Sequence, residues 1–142
     1  MKQQAIQKIN EVIAKSRIGV LSTSYNSQPN SRYMIFYNDG FDLYTKTSKH
    51  SRKFDELKNN PKAHVLLGYE EHSHLPYVEI EGMVEIVTAP KIIDALWQSQ
   101  DQRFFDSKED PDLVVLRVIP EKIFLHDTKE QSAPVEIDVS NL

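Results

Sequence analysis

Ser51, Arg52 and Lys53 are consecutive, and Lys46 and Lys49 come just before them. Residues 45–54 thus hold four cations and no carboxylate, in a chain with 21 Asp+Glu against 17 Lys+Arg. A hydroxyl, a guanidinium and an ammonium side by side suit the oxygens of a phosphate group. Their position sharpens the point. Residues 41–45 have the aromatic and β-branched content of a strand, and residues 54–58 read as a helix, with Ser48 or Ser51 as its N-cap. A helix N-terminus presents free N–H groups and a positive dipole end, so Lys49, Arg52 and Lys53 are the wrong sign for an empty first turn. A bound anion resolves the conflict, whereas the plainer reading of the same residues is a solvated basic surface. The four glycines fall at 19, 40, 68 and 82, outside this stretch, which excludes a glycine-rich phosphate cradle.

Other reactive groups carry less. Glu70, Glu71, His72 and His74 could be read as metal ligands, but a polar exposed loop accounts for them, and no metal is expected. Glu79, Glu81 and Glu85 share a strand face, where solvation or cross-strand pairing explains acids without a catalytic role. Tyr33, Tyr37 and Trp97 read as packing residues, with Tyr33 near enough to Arg32 to line a cleft. No serine sits on a glycine-flanked nucleophile turn, and the absence of cysteine excludes disulfides, thiolate metal sites and thiol nucleophiles. A net charge of −4 opposes general nucleic-acid binding, leaving only the basic junction as a conceivable RNA contact. The start of the chain is amphipathic rather than a signal region, and no run approaches the length of a membrane span. A cytoplasmic protein is expected, without membrane or nucleic-acid partners.

The elements that must position these groups can be read from periodicity. With 142 residues and no internal repeat, one domain spanning residues 1–142 is expected. Residues 2–15 carry Ala5, Ile6, Ile9, Val12 and Ile13 at helical spacing. A buried strand over 18–23, a turn over 25–30, an arm over 31–37 and a tight turn at Asn38-Asp39-Gly40 predict three consecutive antiparallel strands. Asn60-Pro61 stops the helix that starts at Ser51, and a strand follows over 63–69. In residues 77–87 Val78, Ile80, Gly82, Val84 and Ile86 alternate with polar positions. A helix starting at Pro90 carries Ile92, Ile93, Leu96 and Trp97, and strands over 113–119 and 122–126 are expected to be interrupted by Pro120. Residues 135–139 alternate like an edge strand. Mostly antiparallel strands with short helices at the turns point to a small barrel.

Five segments in order carry a resemblance: Ser31-Arg32-Tyr33-Met34, Asp39-Gly40-Phe41-Asp42-Leu43-Tyr44-Thr45, Ser51-Arg52-Lys53, Asn59-Asn60-Pro61-Lys62-Ala63 and Val78-Glu79-Ile80-Glu81-Gly82. Together they resemble the pyridoxamine 5′-phosphate oxidase-like superfamily over most of residues 18–87. The short length, the Trp97 helix and Asp110-Pro111-Asp112-Leu113 are most similar to its general stress protein 26 branch. The resemblance implies a mainly β fold with short α-helices, an antiparallel six- to seven-stranded split β-barrel that binds FMN at the interface of a homodimer. It implies a strand from Arg32 through Tyr33 and Met34 to Ile35 along the flavin, with Arg32 reaching the phosphate. Tyr44 and Thr45 would hold the flavin, and Ser51, Arg52 and Lys53 the phosphate. Pyridoxamine phosphate oxidases carry an Arg-Gln pair where this chain has Pro76-Tyr77. Tyr77 or backbone must then supply what that glutamine supplies, and pyridoxamine phosphate is not implied as substrate.

The function implied is that of an FMN-dependent oxidoreductase acting on a small-molecule substrate or electron donor, with a non-catalytic flavin carrier or stress-related protein as the alternative. No catalytic acid or base is assigned. Met34, Ile35, Phe36, Tyr37, Leu66, Leu67, Met83, Phe104 and Phe105 exceed what the interior of a small barrel needs, and a two-fold interface is the expected place for the excess.

Overall fold

The computed structural model describes residues 2–71, 76–127 and 133–142. Helix α1, Lys2–Lys15, lays Ala5, Ile9, Val12 and Ile13 into the core, as its 3.6-residue spacing requires. Strand β1, Ile18–Tyr25, turns through Asn26 and Ser27, both at positive φ, into β2, Gln28–Ile35. The hairpin turn is therefore only two residues long, tighter than the segment expected from composition. β3, Tyr37–Asp39, and β4, Asp42–Ser48, form a second hairpin and lead through Ser51 into α2, Arg52–Asn59. β5, Lys62–Leu67, and β6, Tyr77–Val87, follow. Then come α3, Pro90–Leu96, with Pro90 at its first turn, a 3₁₀ turn over Ser99–Arg103, β7, Leu113–His126, and β8, Val135–Asp138.

All eight strands join one antiparallel sheet in the order β2-β1-β5-β6-β7-β4-β3, with β8 on the free part of β7. The sheet curls into a split barrel around a core that includes Leu21, Phe36, Leu43, Val65, Ile80, Leu116, Val118 and Ile123. α1 closes one side of this core, while a second cluster of Val87, Ile93, Leu113 and Val115 lies under α3, with Trp97 and Phe105 against it.

Two expectations are corrected here. The strands before and after Phe36 are not neighbours: β2 pairs with β1, β3 pairs with β4, and the two hairpins end at opposite edges of the sheet. Phe36 is the pivot, because its N–H donates to Arg17 O at 2.7 Å as the last rung beside β1 and its ring then enters the core. The second correction is at Pro120. It does not end a strand, since β7 runs through it opposite Gly82, and the register slips by one residue so that Glu121 bulges out. A proline, which has no N–H, is tolerated where the ladder is already broken.

The surplus of apolar residues is also smaller than predicted. Phe36 and Leu67 are core residues, and Met34 packs against the core. Ile35 and Phe104 are exposed, together with Ile18, Tyr33 and Tyr69.

Candidate functional site

α2 begins at the end of β4, and its cap is Ser51, whose Oγ accepts from Phe54 N at 3.4 Å and donates to Ser48 O at 2.8 Å. Ser51, not Ser48, is thus the cap, and Arg52 and Lys53 occupy the first helical positions. Arg52 is exposed and Lys53 half-buried. Lys46 does not join them. It points to the other face of β4 and pairs with Asp101 at 2.5 Å, with 7% of its side chain exposed, and also donates to Leu96 O. The sequence counted four cations in this stretch, and tertiary packing withdraws one of them to tie the 3₁₀ turn to the sheet.

β2 replaces it with Arg32. Opposite Leu21 on the inward face of the β1–β2 hairpin, Arg32 donates from Nη1 to Leu21 O at 3.1 Å and to Thr23 Oγ1 at 2.8 Å. Its Nη2 lies 3.5 Å from Glu56 Oε1. Glu56 is 3% exposed, and it accepts from Thr23 Oγ1 at 2.8 Å and from Asn30 Nδ2 at 2.6 Å.

The electrostatics fit a site built for an anion. Burial, with Arg52 adding to it, lowers the pKa of Arg32 against the opposing charge of Glu56. Burial and the charge of Arg32 together lower the pKa of Lys53. Burial alone would raise that of Glu56, but hydrogen bonds from Thr23 and Asn30 and the charges of Arg32 and Arg52 outweigh it, so its pKa falls and the carboxylate stays ionised. Arg32 and Arg52 therefore act on one buried carboxylate, and Lys53 is repelled by Arg32, so three cations share this region with one buried carboxylate among them.

Thr45 stands beside this cluster. It is buried, and its Oγ1 donates to Ile35 O at 2.7 Å, bringing the β4 and β2 edges of the curled sheet together. Thr45 and the Ile35 carbonyl thus form a seam between β4 and β2, with Arg32 further back along β2 and Ser51, Arg52 and Lys53 beyond the end of β4. Met34 faces inward next to it. Tyr33, at 79% exposure, points to the outside of the sheet, and Tyr44 packs with the α3 cluster. Tyr77 is elsewhere: β1 and β5 separate its strand from β2, and its ring stacks on His126 at 4.5 Å between centroids. It does not meet Arg32, Arg52 or Lys53.

Sequence reasoning missed Glu56, Thr23 and Asn30. A signal existed for Thr23, which shares the inward parity of Leu21. None existed for Glu56, since a glutamate in a short polar helix reads as surface. The cross-strand pairing expected of Glu79 is present, because Glu79 bridges His64 on β5 at 2.9 Å and His126 on β7 at 2.5 Å on the outer face. Of the loop read as a poor metal candidate, His72 and His74 lie outside the described residues. Among the described residues no group of three or more His, Asp or Glu side chains is arranged to hold a metal, and no helix is long and apolar enough to cross a membrane. A cleft of about 540 Å³ between α1 and the turn at Gly68 is lined by Val12, Ile18, Tyr69 and Pro76 and contains none of the seam residues.

Comparison with known proteins places this geometry in context. The sequence profile of the family described as pyridoxamine 5′-phosphate oxidase matches residues 5–127. General stress protein 26 of Bacillus subtilis (strain 168) is 41% identical over 141 residues, covering 98% of this chain and all of that protein. The crystal structure of general stress protein 26 from Bacillus anthracis str. Sterne superposes with a TM-score of 0.83 at 32% identity, over 94% of this chain and 97% of that one. A pyridoxamine 5′-phosphate oxidase-related, FMN binding protein from Nostoc punctiforme PCC 73102 shares the fold, with a TM-score of 0.68 at 13% identity over 95% of this chain and 86% of its own.

Proposed function

The chain belongs to the pyridoxamine 5′-phosphate oxidase family, within its general stress protein 26 branch, and on that premise we propose that it is an FMN-binding flavoprotein acting as an oxidoreductase on a small molecule. The single observation that carries the reading is that Arg32 repels both Arg52 and Lys53 at the start of α2, where one buried carboxylate, Glu56, offsets only part of their charge. The FMN phosphate supplies the remaining negative charge. Ser51 and the first-turn N–H groups orient it, and Arg52 and Lys53 neutralise it. Thr45 and the backbone of Arg32 to Ile35 form the wall along which the ring system lies. When bound, the flavin supplies the electron chemistry, and the protein supplies binding, orientation and exclusion of water.

The cleft is completed by a second copy of the chain. Tyr33, Ile18 and Ile35 expose apolar surface on the outer face of the β2–β1 edge, and Val20 and Leu66 continue it in register. A self-complementary two-fold contact over this face buries it and lets Tyr77 of one subunit approach the seam of the other. Light scattering should therefore give about 33 kDa, twice the 16.4 kDa chain. FMN titrated into the purified protein should quench its fluorescence at one flavin per chain, and a reduced nicotinamide cofactor should bleach the bound flavin. A monomer that binds FMN with full affinity removes the shared site. Binding without reduction by any donor selects the carrier reading.

A further inference from the structure

The same seam contains a residue whose role goes deeper than binding. Glu56 sits behind the cations, not among ligand-facing groups, and its burial needs a reason, because an ionised carboxylate loses its hydration there. Thr23 provides the link. Its hydroxyl has one proton, and the ionised carboxylate can only accept, so the proton points to Glu56 Oε1 at 2.8 Å. The lone pairs of the same oxygen then face Arg32 Nη1, which donates to it at 2.8 Å. Asn30 fixes the second carboxylate oxygen at 2.6 Å.

We infer that Glu56 is the positioning residue for Arg32, holding its guanidinium in place through the Thr23 hydroxyl and offsetting one of the three charges while the clamp is empty. The inference rests on the FMN reading above. A guanidinium tethered by Leu21 O and Thr23 at Nη1 keeps Nε and part of Nη2 to offer a phosphate oxygen without a loss of side-chain freedom at the moment of binding. Without Glu56 the Thr23 proton is free to turn toward other acceptors, and Arg32 loses both its orientation and its counter-charge.

FMN and riboflavin affinities of the wild type, Arg32→Ala, Glu56→Gln, the Glu56→Gln/Arg32→Ala double variant, Thr23→Val and Thr23→Ser test this. Glu56→Gln and Thr23→Val should each weaken FMN about tenfold or more and leave riboflavin within about twofold, while Thr23→Ser restores the wild-type value. Arg32→Ala should cost much less in the Glu56→Gln background than alone, since the side chain it removes is already misplaced. Additive losses, or equal losses for both ligands, overturn the inference. Should Glu56→Gln fail to fold, the near-isosteric Thr23→Val carries the test, and unchanged FMN binding there overturns it. A wild type that binds no FMN refutes the flavin reading separately. The positioning role is then read from the Arg32 side-chain N–H resonances, resolved in the wild type and merged by rapid rotation in both variants. Resonances unchanged in the variants overturn it.

Discussion

Thr45 Oγ1 donates to the carbonyl of Ile35 at 2.7 Å, and this bond joins β4 to β2 although the two strands lie at opposite sides of the sheet order. It is part of what makes the open sheet behave as a barrel. Thr45→Val keeps the shape but strands the carbonyl. It should lower unfolding free energy by about 0.5–1.5 kcal/mol, the net contribution of one hydrogen bond, because Ile35 itself is exposed. Urea denaturation checks this, and FMN affinity should fall with it; an unchanged midpoint would show that the seam closes without the bond.

Arg52→Ala with Lys53→Ala removes two of the three cations at the α2 cap. Each charge-assisted hydrogen bond contributes about 1.5–3 kcal/mol, so FMN binding should weaken by roughly 2–4 kcal/mol after solvent screening of the exposed Arg52. Riboflavin has no phosphate and should be nearly insensitive. Calorimetry with both ligands decides, and equal losses would move the phosphate elsewhere.

Glu79 predicts a pH dependence of stability. Burial would raise its pKa, but hydrogen bonds from His126 and His64, with their charge, outweigh it and leave the pKa below the ordinary carboxylate value. A depressed folded pKa means that the contribution is complete above the unfolded pKa of about 4.3 and is lost as pH falls through the folded value. Glu79→Gln should therefore be less stable than the wild type near pH 5, with the gap narrowing toward pH 3. Urea midpoints across that window measure it, and a gap independent of pH would mean that the shift is not realised.

Gly82 lies where β6 meets the β7 bulge. A Cβ there would fall 2.4 Å from Ile119 O, and that atom is backbone that cannot rotate away. Gly82→Ala should cost on the order of 3 kcal/mol and shift Pro120 and Glu121 out of register. Thermal unfolding with exchange at the amides of Ile119, Glu121 and Lys122 reads both effects, and a near-neutral substitution would show that the bulge is compliant.

Much of the architecture was legible in the residues because its signals are local. Helical spacing located α1 at Lys2–Lys15, alternation located β6 at Tyr77–Val87, and Pro90 marked the start of α3. Ser51 and the wrong-sign cations after it marked the start of α2, since a helix terminus and its first turn are settled within a few residues. The pairing of strands was not legible. Phe36 looks like one more strand residue, and nothing beside it says that its ring enters the core and sends β3 to the far edge of the sheet.

The charge pattern by itself thus determined that wrong-sign cations stand at the start of α2, the ground for the proposed phosphate site, and the ordered motifs determined the family. Only the tertiary structure decided which charges meet there. Lys46, adjacent in sequence, was withdrawn to Asp101, 55 residues away, and Glu56 was recruited from α2 to stand behind Arg32. The physical reason is that a charge interacts over a few ångströms of space and not along the chain, so its partner is set by how the sheet curls. That curl is a property of all eight strands together.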